Sequence, residues 1–164
     1  EIKKLNINIS LIYRNYKDKV DLKEIKNIKN LCSQQKRKFY ISNNFKIARN
    51  LKLDGVYIPS FNKLSNFQNF NLPKNFEVIG SAHNVIEIIQ KENQGCVKIF
   101  LAPIFETTKS KIFLDIIKFN LLSNLSEKKI IALGGINSYN HKRLKALNCY
   151  GFAAIRWIKK NRLK

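Results

Sequence analysis

The stretch IIALGGINS, residues 130–138, places two adjacent glycines where an apolar run ends. The chain has 164 residues but only six glycines, so a side-by-side pair needs a physical reason. Glycine costs backbone entropy and is favoured where the chain needs a positive φ or a close approach to another group. The stretch therefore predicts a buried strand followed by a tight turn, and we expect Gly134 and Gly135 to lie against something.

Short apolar runs of this kind recur along the chain, each followed by a polar or helical stretch. Their spacing of roughly 16 to 33 residues predicts repeated β-then-α units with parallel strands. The runs are nearly continuous, which is typical of a sheet covered on both faces. The pattern fits an open doubly wound sheet or a closed barrel, and no GxGxxG follows the first run to indicate a dinucleotide fold. The seven runs span residues 7–13, 38–42, 55–59, 77–81, 96–105, 128–133 and 151–155.

A closed parallel barrel of this type has eight strands. We therefore predict one domain over residues 1–164, an α/β TIM-type (β/α)8 barrel whose first strand is absent from this chain, because residues 1–6 resemble the end of a helix. The strands should lie in chain order, with the gap between the first and the last. In that arrangement the glycine pair follows the seventh barrel strand.

The loops after strands seven and eight of such barrels commonly form a phosphate site. The competing interpretation is that the glycines serve only a turn before a helix capped by Ser138. If the phosphate interpretation is right, a bulky residue at Gly135 should weaken phosphate binding far more than it lowers the melting temperature. The predicted phosphate donors are the backbone N–H groups of Gly134, Gly135, Arg156 and Trp157.

The chain is strongly basic, with 31 Lys and Arg against 11 Asp and Glu and a formal net charge of +20. Such charge can neutralise nucleic-acid phosphates, but no run of five like charges, RNA-binding aromatic motif or helix-turn-helix pattern occurs. In residues 21–32 the lysines fall on the solvent side of an amphipathic helix. We therefore do not expect a nucleic-acid partner, whereas anionic small molecules would be attracted by the field.

Cys32, Cys96 and Cys149 lie far apart with no CxxC pair, a usage that suits a reducing compartment. The longest apolar runs are too short to span a bilayer. No signal-peptide pattern opens the chain. We therefore predict a cytoplasmic protein with no membrane partner, and a homodimer stays open.

Six stretches together resemble the thiamine phosphate synthase family and its relative, thiazole tautomerase. They follow one another in the family's order and at its spacing: YISNNFKIA, LDGVYIPS, VIGSAHN, APIFETTKSK, IALGGIN and GFAAIRWI. The resemblance covers nearly the whole chain. It implies an eight-stranded barrel that binds a small phosphorylated thiazole at the C-terminal ends of its strands.

The resemblance also implies which residues bind substrate. Where the synthase has aspartates that help to hold magnesium and pyrophosphate, this chain has Asn43 and Asn62, and neutral amides are poor ligands for Mg²⁺. We therefore expect no bound metal. Arg14 matches the family's arginine, but Tyr16 stands where a lysine usually binds pyrophosphate. The other expected substrate-binding residues are Asn43, Ser81, Thr107, Thr108, Lys109 and Ser110.

His83 matches a histidine with which the tautomerase branch moves a proton, and synthases often carry it too. A neutral imidazole can accept and donate a proton near neutral pH. The resemblance therefore favours metal-free tautomerisation of a thiazole phosphate with His83 as the catalytic residue and no cofactor. Two alternatives stay open. One is the synthase reaction, which joins a pyrimidine pyrophosphate to the thiazole phosphate with magnesium; the other is an inactive relative that only binds a phosphorylated ligand.

Overall fold

The computed structural model describes residues 2–16, 20–64, 71–108, 110–155 and 157. The predictions for Lys109 and Arg156 lie outside the described residues. Short 3₁₀ helices span Ile2–Lys4 and His141–Ala146. The α-helices are α1 Leu22–Gln34, α2 Phe45–Asn50, α3 Val85–Asn93 and α4 Asp115–Ser123. The strands are β1 Leu11–Tyr13, β2 Phe39–Ser42, β3 Gly55–Ile58, β4 Glu77–Ala82, β5 Lys98–Leu101, β6 Lys129–Leu133 and β7 Gly151–Ala153.

The seven described strands are parallel and pair in chain order, so β1 and β7 form the two edges of one sheet. Side chains of the two edge strands can pack against those of the middle strands in one cluster only if the sheet is curved around that cluster. The fold is therefore a TIM-type barrel sheet, open between β1 and β7, and the predicted strand order is confirmed. Every strand contributes to the inner cluster, which contains Ile12, Tyr40, Tyr57, Ile79, Phe100, Ile131, Leu133 and Ala153.

The outer face of the sheet forms a second apolar cluster under the helices. Ile25 of α1, Ala48 of α2, Ile88 of α3 and Phe119 of α4 are fully or almost fully buried there. Coverage on both faces explains why the strands read as continuous apolar runs. Within the described part of the chain, no helix is both long enough and apolar enough to cross a membrane.

The face that α3 turns toward the sheet differs from the sequence prediction. The apolar pattern of residues 82–93 predicts a helix that buries Val85, Ile86, Ile88 and Ile89. Of these four only Ile88 is buried; Ile86 is 74% exposed and Ile89 51% exposed. Lys91, three residues after Ile88 and on the same face, takes the other inward position with no exposed surface. A hydrophobic pattern assigns a lysine to water, and here its ammonium bonds to buried oxygen atoms instead.

The turn after the glycine pair also differs from the prediction. The 3₁₀ helix begins three residues beyond Ser138, so Ser138 does not cap it. Asn137 fixes the turn: its Oδ1 accepts hydrogen bonds from the N–H groups of Tyr139 at 2.9 Å and Asn140 at 3.1 Å. An Asn side chain often stabilises a turn by bonding to backbone N–H groups two residues further on.

The N-terminal ends of the strands contain an ionic cluster centred on Glu77. Lys38 Nζ and Lys98 Nζ each lie 2.6 Å from a Glu77 carboxylate oxygen, and the hydroxyl of Tyr40 donates to the same group at 2.5 Å. Burial alone would raise the pKa of Glu77, but the hydrogen bonds from Lys38, Lys98 and Tyr40 outweigh burial and lower it to about 2. This end of the barrel therefore holds its carboxylate ionised and paired.

Candidate functional site

Arg14, just after β1, lies at the opposite, C-terminal end of the barrel. Its Nε donates to the hydroxyl of Tyr16 at 3.2 Å, and that hydroxyl is 2.8 Å from Ser42 Oγ at the end of β2. The guanidinium carbon lies 5.4 Å and 5.5 Å from the ring centroids of Tyr16 and Tyr57, which is cation–π distance. Among the described residues no carboxylate lies within ion-pair distance of Arg14. The position suits an anionic ligand.

Asn43 and Asn62, which the resemblance places where the synthase has aspartates, bond to each other. Asn62 Nδ2 donates to Asn43 Oδ1, and Asn62 Oδ1 accepts the N–H of Leu64 at 2.9 Å. The described residues contain no group of three or more His, Cys, Asp or Glu side chains able to hold a metal ion. Mg²⁺ prefers carboxylates and substrate phosphates as ligands. The donor set of the described residues therefore does not fit a magnesium ion.

A cavity of about 310 Å³ adjoins these side chains. Ser42, Asn43 and Tyr16 form its polar side, while Tyr13 and Phe61 contribute aromatic walls. Phe61 packs edge-on against Tyr16, with the ring centroids 5.5 Å apart. Hydroxyl and amide groups beside aromatic walls, with Arg14 adjacent, suit a small phosphorylated molecule that carries an aromatic ring.

His83 follows β4 and is held by two neighbouring loops. Its Nδ1 lies 2.7 Å from the carbonyl oxygen of Ala102, after β5, and its Nε2 lies 3.2 Å from Ser60 Oγ, after β3. A carbonyl can only accept, so Nδ1 carries the proton, and in the neutral ring Nε2 accepts from Ser60. The backbone N–H of His83 donates to Glu87 Oε2 at 2.8 Å, as part of the cap that starts α3. In the neutral imidazole, Nε2 is therefore the nitrogen that can accept a proton.

The side chain of Ser81 faces the interior of the barrel and not the C-terminal rim. It is buried and hydrogen-bonds to Tyr57 in the inner cluster. Burial raises the pKa of Tyr57, although the bond to Ser81 and the nearby charge of Arg14 oppose the rise. In this geometry Ser81 positions Tyr57, on whose ring Arg14 lies.

The glycine pair approaches the loop that follows β5. Both residues have positive φ, 98° at Gly134 and 71° at Gly135. A Cβ on Gly135 would lie 2.4 Å from the carbonyl oxygens of Phe105 and Glu106, and one on Gly134 would lie 2.8 Å from Pro103 Cβ. The expectation of a tight turn and a close approach is confirmed, and the approach is to backbone. This packing needs the glycines whether or not a phosphate binds, so phosphate binding there stays a prediction.

The loop containing Thr107, Thr108 and Ser110 closes on itself. Thr107 and Ser110 pair across it, with backbone hydrogen bonds of 3.0 Å and 3.3 Å, and Thr107 Oγ1 accepts the N–H of Ser110 at 3.0 Å. Thr107 and Thr108 line a cavity of about 480 Å³ that also contacts Asn137 and Arg143. The side chain of Thr107 therefore stabilises the conformation of its own loop through a hydrogen bond to Ser110.

Trp157 packs against the core beyond β7. Its ring stacks on His141 with centroids 5.3 Å apart and lies 5.7 Å from the ring of Phe152. This is the packing role that a lone tryptophan suggests, and it places Trp157 beside the 3₁₀ helix that follows the glycine turn. The predicted phosphate contact through its N–H group stays a prediction.

The structure thus brings many of the predicted residues onto one rim. Contacts run from Arg14 through Tyr16 to Ser42, while Asn43 and Asn62 connect the loops after β2 and β3, and His83 connects those after β4 and β5. Sequence reasoning missed Ser60. Its position in the sequence could have indicated a role at the site. Ser60 comes directly after an apolar run, where loop residues of a parallel barrel reach the C-terminal face.

The described part of the chain is thus a parallel TIM-type barrel sheet with a cation and hydroxyl groups at its C-terminal rim, the face at which barrels of this type place their binding sites. The family model described as thiamine monophosphate synthase matches residues 7–158. The chain belongs to the thiamine monophosphate synthase family.

Curated relatives agree with this assignment. The thiamine-phosphate synthase of Prochlorococcus marinus (strain AS9601) is 32% identical over 145 residues, which cover 84% of this chain and 40% of the relative. The putative thiamine-phosphate synthase 2 of Aquifex aeolicus is 31% identical over 156 residues, which cover 90% of this chain and 80% of the relative. The chain thus spans about two fifths of the first of these relatives and four fifths of the second.

A solved structure shows the same fold. Thiamine phosphate pyrophosphorylase from Pyrococcus furiosus superposes with a TM-score of 0.73 at 16% identity, covering 94% of this chain and 75% of that one. The likeness establishes the barrel architecture and the chain order of its strands.

Proposed function

We propose that this protein joins a pyrimidine pyrophosphate to a thiazole phosphate, the thiamine-phosphate synthase reaction, and binds the pyrophosphate without carboxylate-held magnesium. The family and the names of the relatives favour this reaction over tautomerisation, since none of the relatives described above is named a tautomerase. The observation that carries the metal-free part is the neutral pair formed by Asn43 and Asn62, with Arg14 close by and no described carboxylate paired to it.

Arg14 supplies the charge in this proposal. A guanidinium can donate two parallel hydrogen bonds to phosphate oxygens, and the rings of Tyr16 and Tyr57 hold it in place. The hydroxyls of Tyr16 and Ser42 then orient the leaving pyrophosphate. At the other side of the rim, the N–H groups around Gly134 and Gly135 take the phosphate of the thiazole, as the resemblance implies. The net charge of +20 draws both anionic substrates toward the protein.

Arg14→Met tests the charge, with Arg49→Met as the matched control because it removes the same charge from the exposed surface of α2. Pyrophosphate binding is measured by calorimetry, and thiamine phosphate formation is followed in the same samples. We expect Arg14→Met to weaken pyrophosphate binding by about tenfold or more, and Arg49→Met to change it less than twofold. Equal effects of the two variants would show that only the overall field matters.

Tautomerisation of a thiazole phosphate is the second candidate, and the geometry of His83 favours it. Nε2 is the accepting nitrogen of the neutral ring, and it lies at the open end of the barrel beside Ser60. A base in this position can remove a proton from a bound ligand and return it elsewhere.

The two candidates are separated by supplying substrates one at a time. Thiazole phosphate tautomer alone tests proton transfer, which His83→Ala should abolish; adding the pyrimidine pyrophosphate tests joining, read as pyrophosphate release. Joining without tautomerisation supports the first candidate, and the reverse supports the second. Binding of thiazole phosphate with neither activity would identify an inactive phosphate-ligand binder and refute both.

A further inference from the structure

Lys91, in the last turn of α3, carries a charge with no exposed surface. Its Nζ donates to the carbonyl oxygens of Pro59 at 3.0 Å and Asn62 at 2.8 Å, and to Gln94 Oε1 at 2.8 Å. A lysine ammonium has three N–H donors, and all three are used. No described carboxylate pairs with it. Burial lowers the pKa of Lys91, as expected for a charge removed from water.

Gln94, the residue after α3, points at the same loop. It is almost fully buried, and its Nε2 donates to the carbonyl oxygens of Asn62 at 3.0 Å and Leu64 at 2.8 Å. The carbonyl of Asn62 thus accepts two buried donors, one from Lys91 and one from Gln94. These bonds connect the end of α3 to the segment of residues 59–64, which follows β3.

That segment carries two side chains of the candidate site. Ser60 contacts His83 Nε2, and Asn62 donates to Asn43 Oδ1. The strand that leads to His83 also makes room for the lysine: a Cβ on Gly80 would lie 2.8 Å from Lys91 Cδ and 2.8 Å from Cys96 Sγ. The φ of Gly80 is not positive, so space for the lysine stem and the Cys96 thiol accounts for glycine at this position better than backbone conformation does.

We propose that Lys91 and Gln94 are positioning residues, which fix the segment 59–64 so that Ser60 and Asn62 meet His83 and Asn43. The expected effect on turnover rests on the proposed function, whereas the expected change in the contact between Ser60 and His83 does not. A lysine that only stabilised the fold would affect the melting temperature but leave the contact between Ser60 and His83 unchanged.

The test compares Lys91→Met with Lys98→Met, which removes a partly buried lysine whose partner, Glu77, lies at the other end of the barrel. Long-range ¹H–¹⁵N spectra of the ligand-free protein report on the ring nitrogens of His83, and Ser60→Ala gives the signature of the lost contact. We expect Lys91→Met to move the Nε2 resonance as Ser60→Ala does, and Lys98→Met to leave it in place. A folded Lys91→Met protein with the wild-type Nε2 resonance would overturn the proposal.

Gln94→Leu provides a second route if Lys91→Met does not fold, because it removes two bonds to the segment and keeps the ammonium. The same displaced resonance is expected, and an unchanged one would also overturn the proposal. In the joining assay, Lys91→Met should lower kcat/KM on the order of 10²-fold relative to Lys98→Met, the loss typical of a misplaced site. If the wild-type protein shows no turnover, the proposed function fails while the spectra still decide the positioning role.

Discussion

The two ends of the barrel use charge in opposite ways. At the N-terminal end Glu77 is paired with Lys38 and Lys98, each at 2.6 Å. At the C-terminal end Arg14 lies on the rings of Tyr16 and Tyr57, with no carboxylate partner in the described part of the chain. At the N-terminal end the charges neutralise one another inside the protein, whereas the guanidinium of Arg14 at the rim has no described counter-ion and can bind an anionic ligand. We therefore expect the cluster around Glu77 to contribute to stability, and we propose that the rim around Arg14 contributes to ligand recognition.

The largest effect is expected where the C-terminal end is held by backbone contact. Gly135→Val combines a positive φ with approaches of 2.4 Å to two carbonyl oxygens, so it should lower the free energy of unfolding by about 3 kcal/mol or more. The close approach thus predicts a loss of stability, while the predicted loss of phosphate binding stays a prediction. Gly95→Ala is the control: it has a φ of 79° but nothing within 4 Å of its Cβ, and should cost about 1 kcal/mol by denaturant titration. Equal losses of unfolding free energy in the two variants would mean that the positive φ, and not the close approach to the carbonyl oxygens, causes the destabilisation.

Glu77→Gln tests the N-terminal end. It removes the partner of the partly buried Lys98 and should lower the free energy of unfolding by about 2 kcal/mol at pH 7. Affinity for pyrophosphate, measured by calorimetry on the folded variant, should stay within twofold of the wild type. A clear loss of affinity would break the division between the two ends.

The pH dependence of stability should report the same cluster. The pKa of Glu77 in the folded protein is about 2, below its ordinary value of 4.5, so its contribution is complete above pH 4.5 and is lost as pH falls through 2. After allowing for partial exposure, the loss over this window is about 2 kcal/mol. Acid unfolding curves of the wild type and Glu77→Gln should therefore converge at low pH. Curves that stay parallel would show that the loss of stability at low pH does not come from protonation of Glu77.

Tyr16→Phe should have the smallest effect. It removes the hydroxyl that bonds to Arg14 and Ser42 but keeps the ring under the guanidinium. We expect pyrophosphate affinity to fall about fivefold, the worth of one hydrogen bond, with unfolding free energy unchanged within about 0.5 kcal/mol. Stability loss without affinity loss would assign Tyr16 to the fold.

Much of the fold could be predicted because apolar runs and breaks mark parallel strands directly. The limits of the strands could not. Residues 96–105 read as one run, yet β5 ends at Leu101, and Ile104 and Phe105 are buried in the loop beyond it. Hydrophobicity reports burial, and a loop packed on the core is as apolar as a strand. The inward position of Lys91 could not be predicted from hydrophobicity, because two of its three oxygen partners, the carbonyls of Pro59 and Asn62, come from another loop.

The resemblance named Arg14, Asn43 and His83, and each directly follows a strand, so their position at the C-terminal rim could be predicted while their roles stay predictions. Their partners were not predictable, because contacts between loops depend on how neighbouring strands align. The tautomer of His83 follows from the carbonyl of Ala102, nineteen residues away. No spacing rule in the sequence indicates such a contact.

The response to magnesium tests whether the C-terminal end binds pyrophosphate through Arg14 and neutral groups, as proposed. Thiamine phosphate formation is measured with magnesium and with a chelator, for the wild type and for Asn43→Asp combined with Asn62→Asp. We expect magnesium to give little or no stimulation of the wild type and a clear stimulation of the double variant, whose carboxylates favour the ion. Wild-type turnover that requires magnesium would contradict it.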